Sequence, residues 1–160
     1  MNAAAYWINR LQLQPHPEGG YYKEVFRSEI EVTSTPLCAF KKACTSIYYL
    51  LEDADYSGFH RITSDELWYF HKGDPLNIHV ITPDGTYNII ELSDTETGNL
   101  SAIVTAGSWF GANIPSGSGF TLVSCAVAPG FEFTDFEMAE KARLLSMYPQ
   151  HEAIINKLCR

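Results

Sequence analysis

From Thr45 to Val127 short β-forming runs alternate with turn signals, and this spacing constrains the fold more than any other feature of the chain. The runs Thr45–Leu51, Leu67–Lys72, Leu76–Thr82, Tyr87–Leu92, Ser108–Ile114 and Phe120–Val127 are rich in β-branched and aromatic residues. Among them stand Gly73-Asp74-Pro75, Pro83-Asp84-Gly85, Gly98-Asn99, Pro115-Ser116-Gly117 and Pro129-Gly130, each suited to reversing the chain. Many short strands at intervals of roughly 8–12 residues predict a sandwich or barrel rather than alternating β-α units. A further strand-like stretch begins at Tyr21, with β-formers at Tyr22, Val25, Phe26, Ile30 and Val32. Upstream, Ala3–Leu13 reads as a short amphipathic helix that buries Tyr6, Trp7, Leu11 and Leu13, ended by Pro15 and Pro17. After Asp135 the period changes again. Met138, Ala142 and Leu145 are expected on one helical face, and Ile154, Ile155 and Leu158 on another. The 160 residues are therefore expected to form one domain, with a β core at about 21–136 and helical ends at 3–13 and 137–158.

Composition narrows the function. Apolar residues make up 46% of the chain, too many for a disordered one. Nineteen acidic residues against 11 Lys and Arg leave a net charge of −8, which argues against nucleic acid or an anionic membrane as a partner. Lys41-Lys42 is the only basic pair. No apolar run approaches the roughly 20 residues that span a bilayer, and the N-terminus lacks a signal-peptide pattern. The expected location is the cytoplasm. There, Cys38, Cys44, Cys125 and Cys159, which lack C-x-x-C spacing, are expected to be free thiols. The expected partner is a small molecule.

Chemistry concentrates between Gly58 and Leu76. His60 leads through a turn to Glu66, which opens the aromatic strand Leu67-Trp68-Tyr69-Phe70 and ends at Gly73. Side chains alternate along a strand, so Glu66, Trp68 and Phe70 should share one face, and Leu67, Tyr69 and His71 the other. An acidic side chain facing an aromatic interior is costly unless paired, hydrogen-bonded or functional.

These residues resemble the first motif of the cupin superfamily, Gly, five residues, His-x-His, three or four residues, Glu, six residues, Gly. His60, Glu66 and Gly73 fall into its register, while Ile62 replaces the second His. The second cupin motif is similar to the segment from Gly107 through Pro115-Ser116-Gly117, with two extra residues; Phe120 takes its His position and Ser124 its Asn position. The phrases His16-Pro17-Glu18-Gly19-Gly20-Tyr21-Tyr22, Ser64-Asp65-Glu66-Leu67-Trp68, Gly73-Asp74-Pro75-Leu76, Trp109-Phe110-Gly111-Ala112 and Val127-Ala128-Pro129-Gly130-Phe131 resemble cupin family five, a branch without an established activity. The resemblance implies a double-stranded β-helix, a jelly-roll barrel of mainly β class, and commonly a homodimer.

Cupins usually hold a divalent metal with three His and one Glu. With Ile62 and Phe120 at two ligand positions, no cofactor is expected; if a metal is bound, His60 and Glu66 would hold it. His71 and His79 are expected on the face opposite Glu66. The preferred reading is a small, partly apolar or sugar-like molecule bound inside the barrel. His60 and Glu66 are its polar anchors, Trp68, Phe70 and Phe120 its walls, and Tyr22, Tyr48, Arg61 and Glu18 further contacts. The first alternative is a metal-free isomerase like the deoxysugar-nucleotide epimerases, with His60 as base and Tyr22 or Tyr48 as acid. Against it, His60 could merely hydrogen-bond Glu66. A metal-dependent oxygenase and a purely structural protein with a solid aromatic core are the remaining alternatives. Glu18 and Tyr22 could close the barrel mouth, in this chain or in a partner, or Gly19-Gly20 could merely turn the chain.

Overall fold

A computed structural model describes residues 3–34 and 39–160. In chain order the elements are α1 (Ala3–Leu11), β1 (Gln14–Pro15), β2 (Tyr21–Arg27), β3 (Glu31–Ser34), β4 (Ala39–Lys42), β5 (Thr45–Glu52), β6 (Tyr56–Arg61) and β7 (Asp65–Gly73). There follow β8 (Leu76–Ile81), β9 (Tyr87–Leu92), β10 (Ser101–Val104), β11 (Trp109–Asn113), β12 (Phe120–Ala128), β13 (Glu137–Met138), α2 (Lys141–Met147) and α3 (Glu152–Leu158).

From β5 onward the chain passes repeatedly between two antiparallel sheets. One has the order β1-β2-β5-β12-β7-β10, the other β13-β6-β11-β8-β9, and β3 pairs with β4 alone. This alternation is a double-stranded β-helix, the jelly-roll barrel. The turns need particular backbones. Gly73 has φ 111°, and a Cβ there would lie 2.0 Å from the Phe120 carbonyl oxygen, so only glycine permits the β7–β12 approach.

The two inner faces make one core. Tyr49, Leu51, Trp68 and Val123 from the first sheet meet Ile78, Val80 and Phe110 from the second, all nearly inaccessible. Side chains alternate as expected along β7, where Glu66 and Trp68 are buried and Asp65 and Tyr69 exposed. Two satellite cores cover outer faces. Beneath α1, Ala4, Leu13, Leu50 and Leu122 pack with Trp7 and Phe120. On the second sheet, Phe59, Ile81 and Trp109 pack under Leu144, Ile155 and Leu158 of α2 and α3.

Several expectations are corrected. Met138 belongs to β13, which pairs with β6, and the helical tail starts only at Lys141. Within α2 the buried residue is Leu144, while Ala142 is exposed. The strands β4, β6 and β10 fall outside the sequence-predicted runs. Cys44, Cys125 and Cys159 are free thiols; Cys38 lies outside the described residues. Among the described residues no helix is long and apolar enough to cross a membrane.

Candidate functional site

A cavity of about 310 Å³ opens at one end of the barrel. Its polar floor is built by three elements. β6 supplies His60 and β7 supplies Glu66, whose neighbour across the β7–β12 pairing is Val127. The loop between β1 and β2 brings His16 and Glu18 beneath them. That loop is tightly held. Tyr49 donates its hydroxyl proton to the Gly19 carbonyl at 2.7 Å, the Gly58 N–H donates to the Glu18 carbonyl at 2.7 Å, and Arg160 Nε donates to the same carbonyl at 3.1 Å. Gly19 and Gly20 have φ of 111° and 70°, and a Cβ on Gly19 would lie 2.1 Å from the Tyr56 carbonyl oxygen. The two glycines therefore do more than turn the chain: they let Glu18 reach His60.

His60 is fully engaged. Its Nδ1 lies 2.7 Å from the Gly58 carbonyl oxygen and its Nε2 3.0 Å from Glu18 Oε2, so the partner of His60 is Glu18 and not Glu66. Burial would strip the charge from His60, but the Glu18 carboxylate, the hydrogen bond to it and the Glu66 charge outweigh burial and raise its pKa. Glu18 responds in the opposite sense. Burial alone would raise its pKa, yet the charge of His60 and the hydrogen bond to it hold the carboxyl below its ordinary value. Glu66 has no such hydrogen-bonded cation. Burial, reinforced by the charge of Glu18 against the attraction of His60, pushes its carboxyl up to about 7. The floor is therefore an imidazolium–carboxylate pair beside an acid that exchanges its proton near neutrality.

His16 differs from both. Its side chain is only 6% exposed, and its Nδ1 accepts a hydrogen bond from the Glu18 N–H at 3.2 Å. Burial lowers its pKa, so the ring is neutral. The walls are aromatic and come from the segment after β12. Phe131 and Phe133 lie 5.0 Å apart, and Phe136 lies 5.2 Å from the His60 ring. At the mouth Arg27 pairs with both Glu24 at 2.8 Å and Glu132 at 2.7 Å, tying β2 to that segment. Lys41 pairs with Asp135 beneath it, and the Phe131 N–H donates to Thr45 Oγ1 at 2.9 Å.

A family model described as the cupin superfamily, DUF985, matches residues 5–139. The chain belongs to the cupin superfamily. A relative in Saccharomyces cerevisiae, the uncharacterized protein YML079W, is 32% identical over 144 residues, covering 80% of this chain and 71% of its own. The structure of a hypothetical protein from Leishmania major superimposes with a TM-score of 0.94 at 39% identity, covering 99% of each chain. Protein SO0799 from Shewanella oneidensis gives a TM-score of 0.89 at 40% identity, covering 100% of this chain and 98% of its own. The wider fold recurs in Bacillus subtilis oxalate decarboxylase, with a TM-score of 0.56 at 13% identity, over 90% of this chain and 36% of that one.

Within this cupin the sequence-predicted residues separate into two groups. His60, Glu66, Glu18 and Tyr22 line the cavity, and so does Ile62. The others lie outside its lining. Trp68 is sealed in the core against Tyr49 and Phe110, deeper than the cavity reaches. Phe70 packs half-buried on that core. Phe120 and Tyr48 face away from the barrel interior, in the satellite core beneath α1. Arg61 pairs with Glu137 at 2.7 Å and lies over the Trp109 ring at 4.6 Å. Apart from Tyr22, the aromatics that wall the cavity, Phe131, Phe133 and Phe136, are unpredicted; they follow the strand repeat rather than belonging to it. His16 stands in one of the recognised phrases, but nothing local to it signals that the loop folds inward.

The metal set implied by cupin membership does not fit these residues. Both nitrogens of His60 are engaged, Ile62 offers no lone pair, and Phe120 lies outside the cavity lining. His71 is exposed and bonded to Ser124, and His79 lies between Tyr87 and Asn113 at 2.7 Å from each. Among the described residues no three His, Cys, Asp or Glu side chains converge as a metal site.

Proposed function

We propose that the barrel binds a small, neutral, partly apolar molecule and moves a proton on it, as a metal-free isomerase or epimerase does. The observation that carries this reading is the convergence of Glu18, His60 and Glu66 on one aromatic-walled cavity left unfilled by protein. Such a cavity lies at the lower end of the size range of small-molecule sites. A titratable group close to neutral pH within it is suited to general acid–base work. The base is Glu66 rather than His60, because both His60 nitrogens are engaged. Glu18 and His60 serve as a fixed charge pair that holds the floor in place.

A charged ligand fits poorly. Two cations, His60 and Arg27, face Glu18, Glu24 and Glu132, and Arg27 is already paired with the last two. Sugar phosphates and nucleoside diphosphates would meet no spare cation here. The working molecule is a cytoplasmic homodimer in this proposal, in keeping with the cupin family.

A ligand-observed NMR screen of neutral aromatic and polyhydroxyl compounds tests the reading against a variant that fills the cavity, Ile62→Trp. Binders are expected for the wild-type protein and lost in the variant. Binders that persist equally in the filled protein, or a screen without any, would remove the cavity from consideration.

A further inference from the structure

We infer that His16 is a substrate-contacting residue of this cavity, a neutral imidazole whose Nε2–H holds the carbonyl oxygen of a small ketone or aldehyde. The inference rests on the proton-transfer reading above and names the substrate class for it.

Hydrogen bonding assigns the tautomer. The Glu18 N–H points at His16 Nδ1 from 3.2 Å, so that nitrogen presents a lone pair. The nearest carboxylate oxygen of Glu18 lies at 3.8 Å from the same atom, beyond hydrogen-bonding range. The proton of the neutral ring is therefore on Nε2. The ring lines the cavity with its side chain 6% exposed, and Nε2 has no protein hydrogen-bond partner among the described residues. The Nε2–H is not sealed among protein atoms and opens on the cavity, where a bound acceptor can take its hydrogen bond.

The remaining floor groups decide what the acceptor is. His60 is taken up by Gly58 and Glu18, and Arg27 donates four hydrogen bonds, to Glu24, Glu132 and the Phe131 carbonyl. Besides the hydroxyls of Tyr22, Thr45 and Ser46 and the Cys125 thiol, the lining therefore offers the ligand one imidazole N–H donor, His16, and one proton-exchanging carboxyl, Glu66. An oxygen acceptor beside an acidic C–H uses both. The Glu66 carboxylate takes the proton from the carbon next to the carbonyl. The C–H electron pair forms the C=C bond, the C=O π pair moves onto oxygen, and the resulting enolate oxygen accepts the His16 Nε2–H hydrogen bond. Return of the proton from Glu66 to the other face of the same carbon, where that face is presented, completes an epimerisation. In an α-hydroxy carbonyl the hydroxyl proton passes to the enolate oxygen, the freed oxygen pair forms the new C=O, and the C=C pair takes the Glu66 proton at the former carbonyl carbon, which completes an isomerisation. No oxidant, reductant or second substrate is consumed. A neutral imidazole suits the donor role because it stabilises charge forming on oxygen without surrendering its proton to the ground-state carbonyl.

The test uses 2-hydroxyacetophenone and dihydroxyacetone in D2O, with loss of the α-proton signal followed by ¹H NMR. Wild-type protein is expected to catalyse exchange on at least one of them, Glu66→Gln to abolish it, and His16→Phe to slow it by roughly 10²-fold. His16→Gln, which keeps an N–H donor, is expected to restore part of the rate. Exchange in His16→Phe at the wild-type rate would overturn the assignment of His16 while leaving the acid–base reading intact. Exchange in Glu66→Gln at the wild-type rate would overturn that reading itself, and absence of exchange in the wild type would overturn the carbonyl class. Independently of any ligand or variant, long-range ¹H–¹⁵N spectra are expected to show His16 as the neutral Nε2–H form between pH 7 and 8. An imidazolium or an Nδ1–H form in that window would also overturn it.

Discussion

Glu66 and Glu18 are both glutamates buried in one cavity wall, and their neighbours drive them in opposite directions. Glu18 accepts a hydrogen bond from the His60 ring and stays ionised, whereas Glu66 feels burial and the Glu18 charge and titrates at about 7. The consequence for stability has a definite sign. Between the ordinary value of 4.5 and about 7, the folded protein holds a proton on Glu66 that the unfolded chain has lost, so stability falls as pH rises through that window. The full difference is about 3 kcal/mol. Glu66→Gln removes it together with the part of the His60 shift that the Glu66 charge supplies, while the Glu18–His60 hydrogen bond is kept in both proteins. Urea denaturation at pH 4.5 and pH 8 is therefore expected to show Glu66→Gln gaining about 3 kcal/mol on wild type across the interval. Parallel stability–pH curves would show that Glu66 is an ordinary carboxylate. At this scale the sequence was partly legible. His60 and Glu66 stand out because a His and an acid at fixed spacing open a strand whose parity can be counted. The Glu18–His60 bond joins residues 42 positions apart through a glycine loop, and no local pattern encodes such a contact.

Strands written as runs of β-formers between turn signals were readable whatever their exposure, and β4, β6 and β10 were not. Tyr87–Leu92 has the bounds that the sequence predicts, and β5, β7, β8, β11 and β12 differ from prediction only at their ends. In β6 every residue from Ser57 to His60 is buried, so the alternation that marks a half-exposed strand is absent. Its inner face carries His60 to the cavity, and its outer face presents Phe59 to Ile155 and Leu158 of α3. The helical tail thus backs the strand that carries His60. Leu158 is wholly inaccessible, and Leu158→Ala is expected to cost about 3 kcal/mol in chemical denaturation. The same change should speed hydrogen exchange at the Ala139 amide, which donates to the Phe59 carbonyl at 2.8 Å and joins β6 to the segment after the cavity wall. A cost below about 1 kcal/mol, with Ala139 exchange unchanged, would mean that α3 merely caps the sheet.

At the scale of the whole molecule, much of the basic charge is paired while large apolar side chains are left exposed. Arg27, Lys41, Lys42, Arg61, Arg143 and Arg160 are each paired with a carboxylate, which leaves five of the 11 basic residues, Arg10, Lys23, Lys72, Lys141 and Lys157, for any phosphate-binding surface. One group of exposed apolar side chains lies where β2 runs into β3 and β4. Val25, Phe26, Ile30 and Phe40 there are 48%, 53%, 69% and 79% exposed. Large apolar side chains in sequence-adjacent strands suit a contact between chains more than they suit water. A second copy related by two-fold symmetry is the occupant that the homodimer proposal requires. Sedimentation equilibrium at micromolar concentration is expected to give twice the chain mass, and Phe26→Asp combined with Phe40→Asp is expected to give a folded monomer. A wild-type monomer, or an unaltered dimer in the double variant, would place this surface outside any such interface. The location has a chemical consequence. β2 also carries Tyr22, Glu24 and Arg27 on the cavity side, and Arg27 ties it to Glu132 across the mouth. Pairing two copies along this flank would stiffen the strand on which the cavity mouth depends, so the monomeric variant is also expected to bind cavity ligands more weakly than the dimer.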